Sequence, residues 1–269
     1  MPEYTLDDLL YLMSRLRDPQ DGCPWDLVQD FSTIAPHTIE ESYELEDAIV
    51  SGNFQQIKEE LGDVLFQVVF HAQLGNEQNH FNFSDIVSTL ISKLIRRHPH
   101  VFPDGTLRSR VGQQQVATED IKRNWESIKT SERQAKQQSA VLDDVPLALP
   151  ALARAAKLQK RAAAVGFDWD DVDQVLMHLK SEIEELLAAR EQQSPQSIEE
   201  EMGDVLFCAV NIARHLKIEP ETALRKANRK FEQRFRFIEE QLSLAHSSPA
   251  DASLELMDEL WEKAKQSGF

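Results

Sequence analysis

The chain has 269 residues, enough for one large domain or two modest ones. Its 46 acidic residues against 29 basic ones leave a formal charge of −17, a surface that repels nucleic acid and anionic membrane. Nine glycines and two cysteines, Cys23 and Cys208, exclude glycine-rich loop folds and a disulfide framework. The first residues, MPEYTLDDLLYLMSRLRD, are acidic and amphipathic, unlike a signal peptide, and no apolar run approaches the ~18 residues of a membrane helix. The expectation is a soluble, cytoplasmic protein.

Apolar residues then recur at helical spacing along the chain, predicting helices near 38–50, 54–74, 84–97 and 118–130. Residues 131–146 are polar and aperiodic and read as a linker. Beyond it, Val172, Val175, Leu176, Leu179, Ile183, Leu186 and Leu187 mark a helix ending near Glu191. Ser194 and Pro195 form an N-cap and first-turn pair that opens the next one, and two more follow from near Pro220 to 242 and over 251–266. No βαβ alternation or hairpin intervenes. The fold class is all-α.

The chain also repeats itself. Residues 55–66 (QQIKEELGDVLF) and 196–207 (QSIEEEMGDVLF) agree at nine of twelve positions, at an offset of 141. CPWD at 23–26 is echoed by FDWD at 167–170, and KLIRRHPHVF at 93–102 by KANRKFEQRF at 226–235. Two homologous antiparallel helical bundles, 1–130 and 147–269, are the simplest reading.

Glu182 and Glu185 lie three residues apart, as do Glu201 and Asp204, so each pair shares a helix face. Glu185 and Glu201 stand at matched heights, roughly 9–11 Å from the turn between their helices. An antiparallel hairpin therefore gathers four carboxylates in two layers. Glu41, Glu44, Glu60 and Asp63 repeat the arrangement: 44 to 60 and 185 to 201 are both intervals of 16. Four carboxylates in one place cannot all ionise cheaply without a cation among them, and an oxygen-only set suits Mg²⁺, with Mn²⁺ the alternative. A pair of merely solvated acidic helix faces is the plainer explanation, but apolar neighbours and the recurrence at identical spacing weigh against it. Gly62 and Gly203, mid-helix in both copies, suggest a close approach by a helix or ligand.

The pattern E-E-x-x-E, about 15 residues, then E-x-x-D resembles the signature of the all-α nucleoside triphosphate pyrophosphohydrolases, and Glu40, Glu41, Glu44, Glu60 and Asp63 match it fully. The tandem arrangement, with CPWD and RRHPHVF in the first unit and KLQKRAAAVGFDW opening the second, resembles the MazG branch of that family. The resemblance implies Mg²⁺-dependent hydrolysis of ribo- and deoxyribonucleoside triphosphates between the α and β phosphates. It also implies a helical fold that forms a homodimer or higher homo-oligomer to complete its sites. Glu182, Glu185, Glu201 and Asp204 then become the catalytic and metal-binding set of the second unit. Ser181 departs from the pattern, standing where the first glutamate is expected.

No GxxxxGK[ST] or GxGxxG occurs, so metal and basic side chains must hold the phosphates. Lys230 and Arg234, one helical turn apart, are the candidates, with Trp261 on the last helix as a base-stacking group. Ser181 and Glu200, next to Glu182 and Glu201, are assigned with them to the substrate, and Lys157 and Arg161 are weaker additions. In the first unit Val101 stands opposite Arg234, Pro99 breaks the helix, and His98 and His100 read as loop contacts. Trp25 and Trp169 are expected to be structural, and Cys208 an ordinary core residue. The second unit is thus expected to carry most of the activity, although Trp125 leaves the first with a stacking group. A non-enzymatic helical metal-binding interaction module is the alternative, and a phosphatase releasing orthophosphate the enzymatic rival.

Overall fold

The computed structural model describes residues 3–110, 117, 120–121, 124–125, 128, 132, 140–143 and 145–268. Among these residues there are helices and turns and no strand, and no helix is long and apolar enough to cross a membrane. The chain divides into two compact units, Met1–Ser131 and Glu132–Phe269.

In unit one, α1 (Leu6–Leu16) starts at a reciprocal capping box between Thr5 and Asp8. A short α2 (Pro24–Leu27) leads to α3 (Phe31–Ser51), α4 (Phe54–Glu77) and α5 (Phe83–Arg97). The α3–α4 hairpin turns through Gly52, whose φ of 71° is the left-handed conformation that ends helices, and Asn53 caps α4. α1 and α5 pack on α4. The core gathers Met13, Ile34, Val69, Phe70 and Leu74. Arg17 is buried beside it, donating to both oxygens of Glu77 and to the Asp26 and Gln29 carbonyls, with its guanidinium 5.3 Å from the Phe70 ring centre. At Gly75 a Cβ would come within 2.5 Å of the Phe81 ring, which would have to shift to admit one.

α3 begins at Phe31, seven residues before the predicted start. Asp30 caps it and bonds Ser32 and Thr33, and the helix accommodates Pro36 in its second turn rather than waiting until after it. The helix predicted over 118–130 lies largely outside the described residues.

In unit two, α6 (Ala151–Ala163) packs on α8 (Pro195–His215), and α7 (Val172–Glu191) forms the main hairpin with α8. Asp171 and Ser194 cap α7 and α8 at the positions of Asp30 and Asn53, 141 residues earlier. α9 (Pro220–Leu244) and α10 (Leu254–Gln266) pair around Ile238, Leu242 and Leu260. Part of the expected linker belongs to this unit: Val145 is buried, and the Asp143 carbonyl accepts from Arg161 Nη1 at 3.2 Å.

Candidate metal centre and adjoining cavity

Each hairpin brings carboxylates together at its middle. In unit two one oxygen each from Glu182, Glu201 and Asp204 lie within 4.8 Å of one another, and Glu41, Glu60 and Asp63 do the same in unit one. The geometry follows from the spacing: Glu201 and Asp204 are one turn apart on α8, and Glu182 faces them from antiparallel α7. The fourth members, Glu185 and Glu44, stand outside these tight groups, although their charges still reach Glu201 and Glu60. Ser181 Oγ donates to Glu185 at 3.2 Å, so the residue that replaces the expected glutamate acts on the outlying carboxylate. Glu200 accepts from Gln196 at 3.2 Å.

Partial loss of solvent, then the charges of Glu185, Asp204 and Glu182, raise the Glu201 carboxyl above its ordinary value. Glu60 and Glu41 are raised by the same two causes. A crowd of hard oxygen donors, one or two of which are held above their ordinary pKa, is the environment a divalent cation stabilises, and three protein oxygens leave coordination positions for water or phosphate. Both cages fit such an ion. A Cβ at Gly62 or Gly203 would meet nothing within 4 Å, so the close helix approach expected at these glycines is not seen within either unit.

Beside the cage of unit two opens a cavity of about 660 Å³. Glu182 and Asp204 form one edge; Phe167, Trp169, Leu158 and Phe207 make an apolar wall. Trp169, expected to be structural, is 41 % exposed here, with its ring 5.4 Å from that of His178, whose Nε2 lies 3.1 Å from Glu182. Neither the acid spacing nor the helical period signals this residue. The hints in the sequence are its place in the FDWD echo and at the end of the KLQKRAAAVGFDW stretch. Cys208 is buried in the wall, and loss of solvent pushes its thiol pKa up. Behind it Arg214 grips Asp168 with two hydrogen bonds and holds that carboxyl below its ordinary range, with His215 Nε2 also 3.2 Å from Asp168.

Lys230, Arg234 and Trp261 do not line this cavity. They lie on the α9–α10 pair, where the Arg234 guanidinium sits 5.3 Å from the Trp261 ring centre and Phe231 packs on the same ring. Arg161 bonds the Asp143 carbonyl, and Lys157 is exposed. In unit one His98 bonds the Leu94 carbonyl through Nδ1 at 2.6 Å, with the His100 ring 5.7 Å away.

The MazG nucleotide pyrophosphohydrolase domain matches twice, over residues 29–102 and 171–236, which contain the two cages. The chain is 48 % identical over 263 residues to a nucleoside triphosphate pyrophosphohydrolase of Escherichia coli strain K12, covering 97 % of each chain. It is 43 % identical to a Thermotoga maritima nucleoside triphosphate pyrophosphohydrolase/pyrophosphatase MazG, covering 96 % of this chain and 95 % of that one. A Mycobacterium tuberculosis nucleoside triphosphate pyrophosphohydrolase is 37 % identical over 60 % of this chain and 46 % of its own. The chain belongs to the MazG nucleotide pyrophosphohydrolase family, with the family's domain present twice.

Proposed function

We propose that the protein is a cytoplasmic, Mg²⁺-dependent nucleoside triphosphate pyrophosphohydrolase that converts ribo- and deoxyribonucleoside triphosphates to monophosphate and pyrophosphate in unit two. The observation that carries this reading is the contiguity of the Glu182–Glu201–Asp204 cage with the cavity, which lets one ligand place phosphates at the carboxylates and its base against Trp169. Family membership supports the same chemistry.

Glu182, Glu201 and Asp204 would hold the metal, with Glu185 as an outlying fourth carboxylate; Mn²⁺ meets the same demands. When bound, the metal supplies positive charge and Lewis acidity where negative charge grows on the α-phosphoryl group and on departing pyrophosphate. Attack by water on the α-phosphorus requires that a carboxylate take its proton. A carboxylate of the site supplies that base, and such general-base help is worth about 10²–10⁴ in rate. Lys230 and Arg234, on α9 and outside the cavity lining, are proposed as basic side chains that reach the triphosphate from beyond the cavity, with Trp261 stacked on Arg234, while the base stacks on Trp169. Ser181, through its bond to Glu185, and Glu200 lie just outside the cage and complete the substrate-side set. Stacking on an aromatic wall tolerates any base, so broad specificity is expected.

Exposed apolar residues on α4 (Leu61, Leu65) and α8 (Met202, Leu206) support a homodimer or larger homo-oligomer. Light scattering at micromolar concentration should give a mass at least twice 30.8 kDa; a monomer mass throughout that range would refute the assembly.

The function is tested by incubating the protein with Mg²⁺ and each triphosphate and separating the products. Monophosphate and pyrophosphate in equal amounts are expected. Orthophosphate would identify a phosphatase instead, and no product would leave a metal-binding interaction module.

A further inference from the structure

One polar atom of a cavity-lining side chain has no partner among the described residues. Gln159, on α6, is 6 % exposed and lines the cavity wall. Its Nε2 donates to the Phe207 carbonyl of α8 at 2.8 Å. A backbone carbonyl can only accept, so this bond fixes which end of the amide points where. Oε1 is left buried, with no hydrogen-bond donor among the described residues. A buried acceptor in that condition is destabilising unless a ligand supplies the missing donor.

Apart from the cage carboxylates Glu182 and Asp204 at its edge, two other side-chain acceptors of the cavity lining, Asn211 and Asp168, already have donors. Asn211 Oδ1 accepts from Arg214 Nε at 3.0 Å and Nη2 at 2.6 Å, and Asp168 is held by Arg214 and His215. Gln159 Oε1 thus differs from Asn211 and Asp168 in that no donor among the described residues satisfies it.

We propose that Gln159 is a specificity-determining residue whose Oε1 accepts a hydrogen bond from an N–H on the base of the bound nucleotide. This rests on the reading of the cavity as a nucleotide site. It refines the expected tolerance in a definite direction. Natural bases all carry an N–H on a hydrogen-bonding edge and satisfy the amide, whereas a base without one leaves it buried and unpaired. Rejection of ligands that lack a required donor is the stronger form of selectivity, because the unpaired group belongs to the protein.

The test compares adenosine monophosphate with purine riboside monophosphate, which has the same ring and no N–H on its base. Binding to the full chain is measured by calorimetry in Mg²⁺. The unmodified protein should prefer adenosine monophosphate about tenfold. Gln159→Met keeps the side-chain length without the amide and should bring the two affinities together, with circular dichroism checking its fold. Equal affinities in the unmodified protein, binding of neither nucleotide, or a folded Gln159→Met that keeps the preference would each overturn the proposal. Pyrophosphate release from ATP is measured in parallel. Normal release with equal affinities sinks the role of Gln159 alone, while absence of release sinks the pyrophosphohydrolase reading.

Discussion

The two units keep the same acid cage and differ in what stands behind it. Seven residues after Asp63 on α4 comes Phe70, fully buried against Met13 and Leu74; seven residues after Asp204 on α8 comes Asn211, on the wall of an open cavity. The next turn repeats the contrast. Leu74 fills the core of unit one, while the matching His215 in unit two meets Asp168. The helix packed on α4 contributes an apolar Met13, and the helix packed on α8 contributes Gln159. On the proposed reading, the two units separate properties that a single site joins: the capacity to gather carboxylates around a cation, which needs only a hairpin and the spacing, and the capacity to lodge a nucleoside, which needs the packing behind the hairpin to be left open.

The sharpest way to break this contrast is to exchange the two residues. Phe70→Asn removes a fully buried ring and buries an amide in its place, so unit one should lose about 4 kcal/mol in denaturant unfolding. Asn211→Phe fills space but forfeits the bonds from Arg214, so stability should stay within about 1 kcal/mol while nucleotide affinity falls at least ~10-fold. Equal destabilisation by the two changes would mean that unit two is as closely packed there as unit one.

A second, somewhat smaller effect concerns turnover. Glu201→Gln removes a ligand charge with little change of shape and should lower pyrophosphate release about 100-fold or more with the helical circular dichroism intact. Glu60→Gln, the matched change in unit one, should leave most of the turnover. If Glu60→Gln is instead the damaging change, the ranking of the units is reversed.

The smallest effect is on pH-dependent stability without metal. The folded protein raises the pKa of Glu201, so the folded state binds its proton more tightly than the unfolded chain does. Stability contributed through this group therefore rises as pH falls through the carboxylate range and is lost as pH climbs above it. Metal-free Glu201→Gln should melt slightly higher than the unmodified protein at pH 7, and the gap should close in acid. A gap that widened in acid would contradict the crowding of charges in the cage.

Much of this was legible in the sequence. Caps at Asn53, Ser194 and Pro195 and apolar periodicity mark the main hairpin helices, and the i, i+3 acid pairs at equal intervals identify six of the residues that meet in the two tight cages. The fourth acids, Glu44 and Glu185, share that spacing, but spacing alone does not set how near a flexible side chain comes to the others. The early start of α3 was hidden by Pro36, a helix breaker in general that the second turn tolerates here. The cavity was hidden for a different reason. Its walls come from α6, the FDWD segment, α7 and α8, and a void is a property of their joint packing that no single period reports. Trp169 and Gln159 both lie in the KLQKRAAAVGFDW stretch, but that stretch does not say what either side chain faces, and only the three-dimensional arrangement shows it.

The central claim, two cages but one nucleotide site, is tested most directly by counting bound nucleotides. The full chain is titrated by calorimetry with a triphosphate analogue whose α–β bridge resists hydrolysis, in the presence of Mg²⁺. One nucleotide per chain is expected, with binding weakened at least ~10-fold by Asn211→Phe and unaffected by Glu60→Gln. Two nucleotides per chain, or one whose binding survives Asn211→Phe and is lost with Glu60→Gln, would contradict it.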